Sequence, residues 1–175
     1  MKYTDTKVVG AKILTHDKYN IDNRGMFVEG GKIEGCNFVQ INHSVSFPKV
    51  LRGLHYQVGD SAQGKLCWVT KGMVYDVFVD LRKDSETFGK WDSCLLSEEF
   101  GNKVWVPAGC AHGFMVVGES PAEFNYLVDK PYNPEAERTL IWNDTDLNIM
   151  WPDNDILVIS EKDKKGISFK DCEKF

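Results

Sequence analysis

Arg52 and His55 stand three residues apart in "VLRGLHYQ" (Val50–Gln57), a stretch whose Val, Leu and Tyr otherwise favour a pleated, half-buried strand. His55 could simply be an edge-strand histidine with its ring half in solvent. Three other residues widen the possibilities: Lys65 opens the next apolar run, Tyr126 lies in "EFNYLVD" and Asp163 in "SEKDKKG". Together these four types can move protons on carbon beside a carbonyl. The histidine takes a proton near neutral pH, and the carboxylate favours its imidazolium. The lysine stabilises the enolate oxygen, and the tyrosine returns a proton from the opposite face, inverting the carbon.

Each residue also has a structural alternative. Lys65 could be a snorkelling lysine at a strand end, and Tyr126 could cover the sheet. Asp163 fits, with Ser160, the S-x-x-D capping box of a short helix. His112, in "PAGCAHGFMVV", is flanked by small and apolar residues and could be a core histidine bonded to backbone. The four histidines (His16, His43, His55 and His112) show neither H-x-H nor facial-triad spacing along one strand. A metal site assembled across strands from His43, His55 and His112 stays open at this point.

Strands must do the positioning. "GCNFVQINHSVSF", "VLRGLHYQ", "KLCWVTKGMVYDVFVDLR", "GKWDSCLLS", "NKVWVPAGCAHGFMVV" and "AEFNYLVD" alternate or run apolar between turn signals. Tyr75, Val77, Val79 and Leu81 share one face of their strand, with Asp76 and Asp80 on the other. Lys71-Gly72 predicts a hairpin turn between Thr70 and Met73. Helical signals are weak: a turn after Ser97, one near Asn133–Glu137 and one near the C-terminus. In an ideal strand, positions 52 and 55 face opposite sides. Both reach one pocket only if the chain kinks between them, and Gly53 permits a bulge there. With no linker or repeat, residues 1–175 are expected to form a single all-β sandwich or barrel.

The whole chain narrows the function classes. Its 175 residues carry 42% hydrophobic and 27% charged residues, an ordinary globular balance. A net charge of −5 argues against a general nucleic-acid binder, while a few converging cations could still hold an anionic small ligand. The five cysteines are odd in number and form no CxxC pair, which suits buried thiols in a reducing compartment. "MKYTDTKVVGAKIL" is interrupted by charge and shows no signal peptide, and the uncharged run Val104–Gly118 is too short to span a membrane. A cytoplasmic protein without membrane contact is expected.

The chain resembles the dTDP-4-dehydrorhamnose 3,5-epimerase family, small cupin-like epimerases of nucleotide-linked 4-keto sugars. "DNRGMFVE", "FVQINHSVS", "VLRGLHYQ", "AQGKL", "VYDVFVDLR", "VPAGCAHGF", "AEFNY", "YNPEAER" and "SEKD" occur in the family's order and spacing. The resemblance implies that His55 is the catalytic base, Asp163 its partner, Lys65 the enolate stabiliser and Tyr126 the acid on the far face. It implies that Arg52 binds the substrate diphosphate and that His112 lies near the reacting sugar. Gln40 and Asn42 would contact the nucleotide, and Tyr132 would flank it. Arg24, Phe27 and Glu29, in the "DxRGxFxE" segment, would meet the nucleotide from the neighbouring subunit. The implied protein is a cupin-like jelly-roll barrel with a few short helices, a homodimer with exchanged N-terminal strands, and an enzyme without cofactor or metal.

Some positions depart from the family pattern. Leu127 follows Tyr126 where a lysine is common, Asn125 replaces an apolar residue, the loop "VGESPAEF" is one residue longer, and Pro131 replaces an aromatic beside Tyr132. These changes leave open a C3-only epimerase or a 3,5-epimerase of a GDP-linked 4-keto-heptose. Rival classes are a non-catalytic nucleotide-sugar-binding cupin, expected to lack the base, lysine or tyrosine, and a metal-dependent cupin oxygenase.

Overall fold

The computed structural model describes residues 1–152 and 158–175. In chain order the strands are β1 (Lys2–Asp5), β2 (Lys12–Thr15), β3 (Asn20–Asp22), β4 (Gly25–Phe27), β5 (Gln40–Ser46), β6 (Val50–Gln57) and β7 (Lys65–Lys71). There follow β8 (Met73–Asp80), β9 (Trp91–Ser97), β10 (Lys103–Val106), β11 (Cys110–Val116), β12 (Ala122–Val128), β13 (Glu137–Thr139) and β14 (Val158–Ile159). One sheet runs β1-β2-β10-β7-β12-β5 and the other β13-β6-β11-β8-β9, with β14 parallel to β6; β3 and β4 form a separate hairpin. This is the cupin-like jelly roll expected from the resemblance. Among the described residues the only helices are α1 (Glu161–Lys164) and a 3-10 turn at Gly59–Ser61. The segments after Ser97 and around Asn133–Glu137 are turns, and the latter leads into β13.

The expected hairpin at Lys71-Gly72 is not one. β7 pairs with β10 and β12, whereas β8 pairs with β11 and β9, so Gly72 carries the chain from one sheet to the other. Its φ of +75° lies in the left-handed region, and a Cβ there would meet the Pro121 carbonyl oxygen at 2.6 Å. The long run 102–117 divides at Pro107–Gly109 into β10 and β11, and only the second half of 35–47 is strand.

Three apolar layers hold the sheets. Between them pack Val69, Val74, Phe78, Phe114, Val116 and Phe124. Outside the second sheet, Leu51, Val77, Val79 and Met115 are covered by Leu147, Ile149, Trp151 and Cys172. Outside the first, Leu66 and Trp105 lie under Met1, Ile33, Cys36 and Phe38. Because the second sheet is covered on both sides, Asp76 and Asp80 are fully buried rather than on a wet face.

The kink in β6 is present. β6 and β11 pair His55 with His112 and Arg52 with Phe114, so three steps on β6 oppose two on β11. Gly53 has φ +120°, and a Cβ there would stand 2.6 Å from the Gly113 Cα. Only glycine fits this crossing. The bulge returns Arg52 to the side of the sheet that His55 faces, and both border one cavity.

Candidate active site

His55 is half-buried on β6, and its Nε2 donates to Asp163 Oδ1 at 2.6 Å. With Nε2 committed, Nδ1 is the nitrogen left for a substrate proton. Asp163 is 3% exposed. Its backbone N–H donates to Ser160 Oγ at 3.1 Å, so Ser160 caps α1, while its carboxylate turns to the sheet and accepts from the Gly53 N–H at 3.2 Å. The helix cap and the His55 contact of "SEKD" therefore use different atoms of Asp163. Burial alone would raise the Asp163 pKa, but the His55 hydrogen bond and charge, with the Gly53 N–H and Ser160, hold it below the ordinary carboxylate range.

Lys65, first residue of β7, is buried rather than snorkelling, and its Nζ donates to the His55 carbonyl oxygen at 3.2 Å. Burial lowers its pKa, against the opposing pull of Cys67, Glu137 and Asp76. Tyr126 stands on β12 between Cys67 of β7 and Asn42 of β5. Burial raises its phenol, which keeps it protonated and able to donate at neutral pH. His112 is a core histidine bonded to a carboxylate: Nε2 donates to both oxygens of Asp76 at 2.9 Å, and the ring stacks on Phe124. Burial raises Asp76, opposed by His112 and Lys65.

Two lobes of one cavity meet at Asn42, His55, Lys65 and Tyr126. One, of about 340 Å³, extends to Arg52, His112, Phe114 and Phe124. Arg52 Nε donates to Ser46 Oγ at 2.9 Å. The other, of about 300 Å³, extends to Gln40, Gln57, Gln63, Tyr132 and Glu137. Gln40 Nε2 donates to Asn42 Oδ1 at 2.7 Å, and Gln40 Oε1 accepts from the Tyr132 N–H at 3.1 Å.

Glu137 is a cavity residue that sequence reasoning missed, although it lies inside "YNPEAER". Its Oε2 accepts from the Tyr132 hydroxyl at 3.0 Å and from Lys162 Nζ. Burial would raise its pKa, yet the Lys162 and Tyr132 hydrogen bonds hold it below the ordinary value. Gln57 and Gln63 were missed as well, since nothing local marks a glutamine as a cavity residue.

Arg24, Phe27 and Glu29 border neither lobe within this chain. Arg24 pairs with Asp22 at 2.6 Å, Phe27 is 66% exposed, and Glu29 lies near His16 and Lys18. The open metal alternative lacks geometry too. His43 Nδ1 donates to Asn125 Oδ1, whereas His55 and His112 bond different aspartates. Among the described residues, no three His, Cys, Asp or Glu side chains are grouped as a metal needs.

A jelly-roll barrel whose cavity brings a His–Asp pair, a buried lysine and a tyrosine together has the groups of an isomerase that moves protons on carbon beside a carbonyl. The family profile described as dTDP-4-dehydrorhamnose 3,5-epimerase matches residues 5–171. The enzyme of that description from Pseudomonas aeruginosa is 48% identical over 162 residues, 88% of each chain. The crystal structure of dTDP-4-dehydrorhamnose 3,5-epimerase from Elizabethkingia anophelis superposes with a TM-score of 0.93 at 41% identity, covering 98% of this chain and 97% of that one. The dTDP-6-deoxy-D-glucose-3,5-epimerase from Legionella pneumophila, in complex with dTDP-4-keto-L-rhamnose, superposes with a TM-score of 0.89 at 37% identity, covering 98% and 94%. On the profile match and these identities and superpositions, the chain belongs to the dTDP-4-dehydrorhamnose 3,5-epimerase family.

Proposed function

We propose that His55, Asp163, Lys65 and Tyr126 together invert C3 and C5 of a dTDP-linked 4-keto-6-deoxy sugar, in the biosynthesis of a deoxysugar. The observation that carries this assignment is the 2.6 Å His55–Asp163 pair in a cavity that also presents Lys65 and Tyr126 from the facing sheet. C3 and C5 flank the C4 carbonyl, so the substrate supplies its own electron sink and the chemistry calls for no cofactor. His55 Nδ1 takes the proton, and the ionised Asp163 stabilises the imidazolium formed. The Lys65 ammonium stabilises negative charge as it grows on the C4 oxygen. Tyr126 returns a proton to the face opposite His55, because β12 and β6 lie in opposed sheets around the sugar.

Arg52 holds the diphosphate in this reading, and His112, fixed by Asp76, lies beside the sugar. Gln40, Asn42 and Tyr132 hold the nucleotide in the other lobe. The working unit is a homodimer with exchanged strands, in which Arg24, Phe27 and Glu29 complete the neighbouring site. Two observations support it. Among the described residues β5 is a sheet edge, with Val39, Ile41, Val45 and Phe47 exposed along it, and the β3–β4 hairpin exposes Ile21, Met26 and Phe27. Five free cysteines suit the reducing cytoplasm, and no described helix is long and apolar enough to cross a membrane.

Incubation with dTDP-4-keto-6-deoxyglucose in deuterated water, followed by NMR, tests the reading. The expected result is deuterium at C3 and C5 and a product inverted at both. Deuterium at C3 alone would make the enzyme a C3 epimerase, and turnover of only a GDP-linked 4-keto-heptose would move the substrate. Tight binding of the dTDP sugar with no exchange would overturn the catalytic assignment in favour of a non-catalytic binder.

A further inference from the structure

Residues 131–133, between β12 and β13, belong to no strand or helix, yet their backbone is held at three consecutive positions by two glutamine side chains. Gln57 Nε2 donates to the Pro131 carbonyl at 3.2 Å, and Gln57 Oε1 accepts from the Asn133 N–H at 2.8 Å. Between them, Gln40 Oε1 accepts from the Tyr132 N–H at 3.1 Å. The two glutamines come from β6 and β5, strands of opposite sheets. Gln57 Nε2 also donates to the Ser61 carbonyl at 2.7 Å, and Asn133 Nδ2 donates to Ser61 Oγ at 3.0 Å.

Gln57 is 4% exposed and lies two residues beyond His55, on the same side of β6 and on the same cavity lobe. A primary amide has two N–H donors, and both are spent here, on Ser61 and Pro131. It has no hydrogen left for a ligand. Its reach into the lobe therefore goes through the loop.

We propose that Gln57 is a positioning residue that fixes the 131–133 loop, and with it Tyr132, at the nucleotide lobe. The inference rests on the reading of that lobe as the nucleotide side. One strand then serves both halves of the substrate: His55 meets the sugar, and Gln57 sets the aromatic that flanks the base. Loss of Gln57 frees the loop while leaving His55, Asp163, Lys65 and Tyr126 in place. It should act on nucleotide affinity and KM, with kcat little changed.

A double-mutant cycle tests this in the full-length protein, with dTDP affinity read by calorimetry and kcat and KM by epimerisation. Gln57→Ala is expected to weaken dTDP about 5- to 20-fold and to raise KM, with kcat within about twofold of wild type. Tyr132→Ala should weaken dTDP at least as much. The double variant should bind within about twofold of Tyr132→Ala, because a freed loop has no ring left to misplace. Should Gln57→Ala not fold, Gln57→Glu carries the test: it keeps the acceptor for Asn133 and loses both donors, and the same non-additivity is expected. Additive losses in the double variant, or wild-type affinity in Gln57→Ala, would overturn the proposal. Wild-type affinity in Tyr132→Ala would instead overturn the nucleotide reading on which it rests.

Discussion

At the scale of single residues, the division of labour between Asp163 and Ser160 separates activity from stability. Asp163→Asn keeps the backbone N–H that Ser160 accepts, so α1 stays capped, while the carboxylate that holds His55 Nε2 is lost. A fall in kcat of roughly 10²–10⁴-fold is expected, the worth of a correctly poised base. Ser160→Ala should instead cost about 1 kcal/mol in denaturant unfolding. In the proposed mechanism, Tyr126 and Lys65 act in two separable steps. An acid opposite His55 is needed to return a proton with inversion but not to remove one. Tyr126→Phe should still exchange substrate protons with deuterated solvent while little inverted product accumulates. Lys65→Ala should slow the exchange itself by about 10²–10³-fold, since no ammonium then meets the enolate oxygen. Inversion by Tyr126→Phe at the wild-type rate would show that another donor serves the far face.

At the scale of elements, a buried carboxylate in β8 ties strand to loop. Asp80 accepts from Arg82 Nε and Nη2 at 2.8 Å and from the Ser85 and Thr87 hydroxyls at 2.6 Å, anchoring the turn that leads to β9. Burial alone would raise its pKa, but these donors bring it down to about 2, below the ordinary 3.8. A depressed folded-state pKa contributes stability that is full above pH 3.8 and is lost as the pH falls through about 2. The shift corresponds to about 2 kcal/mol. Asp80→Asn should lose that amount near neutral pH and show a flatter acid-unfolding curve between about pH 2 and 4, measured by denaturant titration across pH. This carboxylate also shows where sequence reading stops. Alternation placed Asp76 and Asp80 together on one face of β8, but it could not reveal that both faces of that strand are covered. In the same way Gly72 was legible as a turn, whereas the sheet that the next strand would join depends on partners far away in sequence. The bulge at Gly53 was legible because two polar residues that need one pocket bracket a glycine. β1 and the β3–β4 hairpin were not, since their residues are exposed and carry no apolar period. His55, Lys65, Tyr126 and Asp163 came together from motifs, while Glu137 and Gln57 are ordinary residue types whose role arises only from where β13 pairs β6.

At the scale of the whole molecule, the cavity and the N-terminal hairpin pose one question. Arg24, Phe27 and Glu29 lie away from the lobes of their own chain, and Arg24 spends its guanidinium on the exposed Asp22, a pair worth little in solvent. An arginine so weakly committed can exchange Asp22 for a substrate diphosphate, where charge-assisted contacts are stronger. The apolar edge along β5 and the exposed hairpin are two surfaces of one chain that a second copy can cover reciprocally, as a two-fold interface requires. If Arg24 serves the neighbouring site, each site of a homodimer takes its base from one chain and this cation from the other. An Arg24→Ala homodimer should show a raised KM with a smaller change in kcat, because diphosphate contacts act on ground and transition state alike. A His55→Ala homodimer should be nearly inactive. Mixing and re-equilibrating the two variants should create heterodimers in which one site carries both lesions and the other carries neither, so activity at low substrate should rise above that of either parent. Sedimentation should give a dimer mass for all three samples. If the mixture never exceeds the sum of its parents although subunits demonstrably exchange, each site is built from a single chain, and Arg24 belongs to the hairpin alone.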